Sequence, residues 1–288
     1  MKIHSMPQFQ LVFCDAGENL FPAGYLETSF YPLDLMNTPY DVLAQAIAEQ
    51  KNVTSQFLVQ KARTQKLSLE QEFMPRESAQ QDSELQVSMQ QAQLNSVIIL
   101  KQTHSTQGFC VTTENVAELT TAPRREGDFL CTQLSGVGIG VLTADCLPMA
   151  FYDPLHHAAA IVHAGWRGMV DGIGAQTLQS MRDSFGTRPE DVQVFIGPCA
   201  KSCCYQVGED FLQHLASFSW ADKVVDRREN GLFFNLPLCN SLLLQDAGVN
   251  PASISYEYNS CTICNNSFCS YRRDAAASCR QLALIVLR

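Results

Sequence analysis

Apolar positions along this chain fall into two periods, and the period of two dominates. Val137, Ile139 and Val141 alternate with glycines, which predicts a strand. That strand runs into Thr143-Ala-Asp-Cys-Leu-Pro148, where Pro148 is expected to end regular pairing. Residues 158–162 form a second apolar run, bounded by the turn signal Asp153-Pro154 and by Gly165. Further short apolar runs at 97–100, 129–131, 192–196, 253–258 and 282–287 read as strands, and 9–30 as short strands and turns. A period near 3.6 takes over at a few places. Thr38-Pro39-Tyr40-Asp41 looks like a capped helix start, with Leu43 and Ile47 carrying the helix to about residue 50. Residues 169–185 predict a helix with Ile173, Leu178 and Met181 on its apolar face and Gly186 as its stop. A short helix is expected over 211–215. Another is capped by Asn235, with Pro237 near its start, and runs to Asp246. Strands outnumber helices and the helices are interspersed, so the fold class is α/β with mixed sheets in a single domain, 1–288. A polar segment at about 51–93, rich in glutamine and serine, reads as a surface insertion.

Composition narrows the partners. At 288 residues and 46% hydrophobic, the chain has ample material for a core. A net charge of -9 argues against nucleic acid or an anionic membrane as the main partner. No apolar run approaches the ~18 residues that span a bilayer. The start, MKIHSMPQFQLVF, makes a poor secretory signal, which points to a cytoplasmic protein. The 12 cysteines are then expected to be mostly reduced thiols. A structural zinc on Cys261, Cys264 and Cys269 lacks a matching second pair at zinc-finger spacing, although Cys203 and Cys204 stand side by side.

Three residues share one placement. Cys146 follows one predicted strand, His163 ends another, and His104 follows residues 97–100. Two imidazoles and a thiolate suit zinc, and three protein ligands leave a fourth position open, as catalytic sites do. Water on such an ion ionises near pH ~7. Asp145 is placed to orient a ligand or move a proton, and Arg167 to hold an anion such as phosphate. Blander readings stand beside this one: a histidine after a strand is often structural, and a lone cysteine is often a small buried hydrophobe. A metal-free pair, Cys146 as nucleophile with His163 as base, is a third reading. His156 and His157 compete as ligands but sit in a turn and read as surface residues. His4 and His214 read as ordinary, and Trp166 as packing. In the polar knot Ser270-Tyr-Arg-Arg-Asp274, read as extended, Arg272 and Arg273 are the substrate-binding candidates: one could face the site while the other pairs with Asp274.

The stretches Thr143-Ala-Asp-Cys-Leu-Pro148, His163-Ala-Gly-Trp-Arg-Gly168, Ile196-Gly-Pro-Cys199 and Ser270-Tyr-Arg-Arg-Asp274 resemble, in order, the motifs of one family. It has been called the multicopper polyphenol oxidase or laccase-domain family, and also the broad-specificity purine nucleoside phosphorylase family. The resemblance implies a three-layer α/β/β fold and a single metal, usually zinc, on His104, Cys146 and His163. It also implies phosphorolysis of adenosine, guanosine, inosine and methylthioadenosine, with purine nucleosides and phosphate as partners, together with adenosine deamination. Some bacterial members of that family are tied to editing of peptidoglycan precursors. The chain departs from the family pattern at Gln102-Thr-His-Ser105, usually Gln-Val-His-Gly, and at Cys279 before Arg280, usually Gly. A copper-dependent oxidase is the older alternative. Its cluster needs many imidazoles, whereas the chain has six.

Overall fold

The computed structural model describes residues 2–5, 8–13, 96–120 and 123–288. The helix expected at 38–50, the strands and turns expected at 14–30 and the polar segment at 51–93 lie outside those residues. The first strands are β1 (Lys2–Ser5), β2 (Phe9–Phe13), β3 (Ser96–Ile99), β4 (Gly108–Val111), β5 (Phe129–Thr132), β6 (Val137–Thr143), β7 (Leu147–Asp153) and β8 (Ala158–Ala164). Those that follow are β9 (Gln193–Ile196), β10 (Gln206–Val207), β11 (Val225–Arg228), β12 (Gly231–Phe234), β13 (Ile254–Ser255) and β14 (Gln281–Leu287). The helices are α1 (Val116–Leu119), α2 (Trp166–Val170), α3 (Ile173–Phe185), α4 (Leu236–Asp246) and α5 (Tyr271–Asp274).

Two sheets carry the fold. A six-stranded sheet has the order β13-β9-β7-β8-β5-β4, and a five-stranded sheet has the order β1-β2-β14-β6-β3. Both mix parallel and antiparallel pairs. A third, three-stranded sheet, β10-β12-β11, is smaller. The six-stranded sheet is buried on both faces. Along β7, Met149 and Phe151 join the core with Ile173, Leu178 and Met181 of α3 and Leu244 of α4. The alternate residues, Ala150 and Tyr152, join Ile139 and Val141 of β6 and Ile285 of β14. Alternation along a strand therefore divides its side chains between a helical layer and a second sheet. The result is the three-layer α/β/β arrangement that the motifs implied, built from mixed sheets.

Several local expectations need correction. Pro148 does not end pairing: it lies inside β7, opposite His163 on β8, and its carbonyl accepts from the Gly197 N–H at 3.0 Å. Proline removes only a donor, and near a strand's start the ladder survives the loss. The helix expected over 169–185 is two helices, α2 and α3, parted at Asp171-Gly172, where Gly172 has φ +85°. Ser270 to Asp274 is not extended. The Ser270 hydroxyl accepts from the Arg273 N–H and caps the single turn of α5. The strand expected at 253–258 shrinks to β13, and 211–215 lies largely within a 3₁₀ turn over Glu209–His214. The hairpin β11–β12 and the strand β4 are additions: β11, Val-Asp-Arg-Arg, has no apolar run, and β4 and β12 each carry only an apolar triplet after a glycine. Asn235 does cap α4, accepting from the Leu238 N–H at 3.2 Å. The expectation of reduced thiols fails at two pairs: Cys110–Cys131 and Cys269–Cys279 are disulfides. The first bridges register partners on β4 and β5. Seven other cysteines are free among the described residues. Among those residues, no helix is long and apolar enough to cross a membrane.

Candidate metal centre

The topology explains why three distant residues meet. β3 and β6 are parallel neighbours, so their C-terminal ends leave the five-stranded sheet on the same side. His104 follows β3, and Cys146 follows β6 in the short link to β7. β8 returns antiparallel to β7 with Leu147 opposite Ala164 and Pro148 opposite His163, so β8 ends where β7 begins. His163 has the parity of Ala159 and Ile161, the residues of β8 that face the second sheet. The site therefore sits at the rim of the two-sheet layer. His104, Cys146 and His163 bring their ligand atoms within 4.8 Å of one another. Cys146 Sγ lies 3.6 Å from His104 Nε2, and the two imidazole centroids are 4.9 Å apart, edge to face. Ordinary zinc bonds of about 2.3 Å to sulfur and about 2.0 Å to nitrogen place tetrahedral neighbours about 3.6 Å apart. The donor set and its spacing thus fit a metal ion.

Asp128, at the end of the charged run 124–128 just before β5, orders this trio. It is fully buried. One carboxylate oxygen accepts from His163 Nδ1 at 2.8 Å and from the His104 N–H at 3.0 Å. The other accepts from the Ser105 N–H at 2.7 Å, the Ser105 hydroxyl at 2.8 Å and the Thr103 N–H at 3.2 Å. With Nδ1 committed, His163 presents Nε2 to the trio. Asp128 also steadies the backbone of His104, which has φ +61°. Left-handed backbone at a non-glycine residue persists only when its surroundings enforce it. The one available signal for Asp128 was an acid just before an apolar strand.

Charge follows from this packing. Burial raises the Cys146 thiol, but the charge of His163 and hydrogen bonds from His104 and His163 outweigh it, lowering the thiol to about 6. Burial opposes charge on His163 too, yet Cys146 and Asp128 raise the imidazole to about 9. Asp128 falls to about 2 against its own burial, because His163 and Ser105 bond to the charged form. Without a metal, the thiolate–imidazolium pair is intact from about pH 6, below which Cys146 protonates, to about pH 9, above which His163 loses its proton.

Gly165 makes the convergence possible. A Cβ there would lie 2.6 Å from His104 Cδ2 and 3.2 Å from Cys146 Sγ. At Gly168 a Cβ would lie 2.9 Å from the Ser105 carbonyl. The glycines of His163-Ala-Gly-Trp-Arg-Gly168 therefore allow α2 to close over the His104 loop.

The remaining candidates are distributed around the trio. Asp145 is buried with φ +85°, and its carboxylate accepts from the Thr262 hydroxyl and the Arg272 N–H, both at 2.6 Å. It clamps the Cys-rich loop beside Cys146. Arg272 is exposed. Its Nη1 donates to the Gln206 carbonyl at 3.0 Å, and its guanidinium lies 5.0 Å from the Tyr205 ring centroid. Burial and the nearby Cys146 charge raise the Tyr205 phenol to about 12. All five N–H donors of Arg273 are used within the protein, by Asp274 and the carbonyls of Thr262, Ile263 and Phe268. The expectation that it binds substrate thus meets a saturated guanidinium. Arg167 is exposed, with its guanidinium over the Trp166 ring at 4.8 Å. Trp166 packs on Phe211 and His214. His156 bonds Asp153, while His157 bonds the Tyr152 hydroxyl and the Arg288 carbonyl. Both are half-buried and neither joins the trio. The His4 side chain lies outside the described residues.

Fold and donors together define a three-layer α/β/β protein with a two-histidine, one-cysteine centre at its sheet rim. The chain belongs to the family described as multi-copper polyphenol oxidoreductase laccase, which matches residues 61–288. It is 33% identical over 189 residues to a purine nucleoside phosphorylase of Clostridium acetobutylicum, covering 65% of this chain and 75% of that one. It is 33% identical over 201 residues to an adenosine deaminase named RL5 from an unknown prokaryotic organism, covering 67% and 76%. A crystal structure of Bacillus licheniformis YfiH superposes with a TM-score of 0.67 over 97% of this chain and 93% of that one, at 23% identity.

Two outcomes test this geometry. Asp128→Asn should weaken metal binding about 10- to 100-fold, measured by competition with a chromogenic chelator; unchanged affinity would deny Asp128 its orienting role. In chelated protein, alkylation of the Cys146 peptide, read by mass spectrometry, should rise with a midpoint near pH 6. A midpoint near the ordinary thiol value of about 8.5 would contradict the ion pair.

Proposed function

We propose that this protein is a zinc-dependent enzyme of purine nucleosides. It would cleave adenosine, guanosine, inosine and methylthioadenosine with phosphate to base plus ribose 1-phosphate, and deaminate adenosine. The observation that carries the reading is the trio itself: two imidazoles and a thiolate spaced for one ion, with His104 exposed, Cys146 half-buried and His163 buried. The names of the similar phosphorylases and of the similar deaminase support the substrate class.

His104, Cys146 and His163 would hold a zinc ion, which would supply a Lewis acid at the sheet rim. The chain's own residues do the rest. Asp128 holds the His163 proton on Nδ1, which leaves Nε2 as the nitrogen that would bind the ion. Asp145 does not move protons in this reading. Both its oxygens are committed to Thr262 and Arg272, so it positions the Cys-rich loop against the Cys146 turn. The guanidinium of Arg272, half-anchored on the Gln206 carbonyl, retains donors for a phosphate oxygen. Arg167, on the first turn after Gly165, is the second cation for that anion. Arg273 supports the same loop from behind.

Zinc is favoured over a copper cluster because His156 and His157 bond elsewhere, His214 packs on Trp166, and four-electron oxidation needs a cluster of imidazoles. One observation favours a second reading: Cys146, His163 and Asp128 also line up as nucleophile, base and orienting acid. A metal-free thiol hydrolase of peptidoglycan precursors would use that line and would ignore chelators.

Zinc-loaded protein given adenosine and phosphate should release adenine and ribose 1-phosphate, and inosine without phosphate. Chelation should abolish both, and zinc should restore them. Arg272→Ala keeps its backbone N–H on Asp145 and should lower kcat/KM for phosphate about 10- to 100-fold through loss of a charge-assisted contact. No turnover by fully metallated protein, or turnover indifferent to chelation, overturns the proposal.

A further inference from the structure

Sequence spacing offered Cys261, Cys264 and Cys269 as a zinc group, but Cys269 is in a disulfide with Cys279. The fold supplies other partners. The thiol sulfurs of Cys203, Cys204, Cys261 and Cys264 all lie within 4.8 Å of one another. Cys203 Sγ and Cys264 Sγ are 3.9 Å apart. Sulfurs at about 2.3 Å from a tetrahedral zinc are separated by about 3.8 Å. All four thiols are free, although two other cysteine pairs in the chain are bonded.

We propose that Cys203, Cys204, Cys261 and Cys264 form a second metal site, a closed tetrathiolate that holds one structural zinc. Its four ligands come from two loops that already run side by side. Cys199 pairs with Cys261 as an isolated bridge, with the Cys199 N–H on the Ser260 carbonyl and the Thr262 N–H on the Cys199 carbonyl, each at 3.0 Å. Lys201 Nζ reaches the Asn259 carbonyl at 3.2 Å. Each ligand pair sits in a tight turn. Cys204 and Tyr205 both donate their N–H to the Lys201 carbonyl, which curls the chain at the adjacent cysteines. Cys261 to Cys264 is a two-residue-spaced turn, the loop form common at zinc sites.

The surroundings suit a thiolate cluster. Backbone N–H groups of Cys264, Lys201 and Ile263 bond the Cys261 sulfur. Two guanidiniums brace the loops: Arg228 on the Ser202 carbonyl at 2.7 Å, and Arg273 on the Thr262 and Ile263 carbonyls at 2.8 and 3.2 Å. Zinc would form four Zn–S bonds, and the displaced thiol protons would pass to solvent. With four protein ligands no coordination position remains for a reactant, so this ion has no chemical step. Its effect would be mechanical. The same loops hold Asp145, through the Thr262 hydroxyl, the Arg272 N–H and the Ala200 N–H on the Asp145 carbonyl at 2.9 Å. The inference does not depend on the proposed reaction.

The test is native mass spectrometry of the full chain, purified with zinc and a thiol reductant. Wild type should carry two zinc ions. Cys146→Ala/His163→Ala, which dismantles the trio, should retain one. With cobalt(II) in place of zinc, that variant should show the strong visible bands of a tetrahedral tetrathiolate. Cys203→Ser/Cys264→Ser should lose one ion, and should unfold at lower temperature. If that second variant does not fold, the trio variant carries the test alone. The site is refuted if the trio variant, folded and with all four thiols reduced, binds no metal, or if folded Cys203→Ser/Cys264→Ser still carries two ions. Disulfides among the four cysteines that survive the reductant would refute it equally.

Discussion

A single buried carboxylate holds this site together. Asp128 accepts hydrogen bonds from three consecutive backbone amides, at Thr103, His104 and Ser105, and from the ring of His163. The first set bends the loop after β3 so that His104 points at the trio. The last bond chooses which nitrogen His163 presents. A buried carboxylate without partners would be costly, so its six protein donors and its position enforce each other. Each side also explains the other's strain: His104 keeps a left-handed backbone because that carboxylate is there to receive its amide.

The second constraint is topological. Parallel pairing of β3 with β6 places the turns that carry His104 and Cys146 next to one another, and the antiparallel hairpin β7–β8 brings His163 back to the same rim. Nothing local in the sequence specifies that meeting. It requires β6 to belong to one sheet and β7 to the other, with only residues 144–146 between them. Glycine at 165 then removes the side chain that would collide with His104 and Cys146. Asp145, in the same link, ties the turn to the Cys-rich loop. The proposed metal site thus lies where two sheets and two loops converge, each held by bonds between protein groups.

Much of this was legible from residue order. The alternation at Val137, Ile139 and Val141, the cap at Asn235 and the glycine stop at Gly186 each lie where the sequence pattern puts them, because local chemistry determines them. The trio was legible because all three residues follow or end apolar strands. Asp128 was not, since its burial comes from long-range pairing and an acid in a charged run looks solvated. Pro148 misled because a strand's second residue can lack a donor without losing its ladder. The arginines of α5 were read as alternating faces of a strand, whereas the Ser270 cap makes them one helical turn. The meeting of Cys203 and Cys204 with Cys261 and Cys264, and the disulfides, depend on contacts across the chain that spacing alone does not encode.

The most direct measurement is an anomalous difference map at the zinc absorption edge, from crystals grown with zinc. The expected result is a peak about 2.0 Å from His104 Nε2 and His163 Nε2 and about 2.3 Å from Cys146 Sγ, with His163 Nδ1 still on Asp128. A zinc-saturated crystal with no peak among these atoms, or with His163 turned so that Nδ1 faces Cys146, would contradict it.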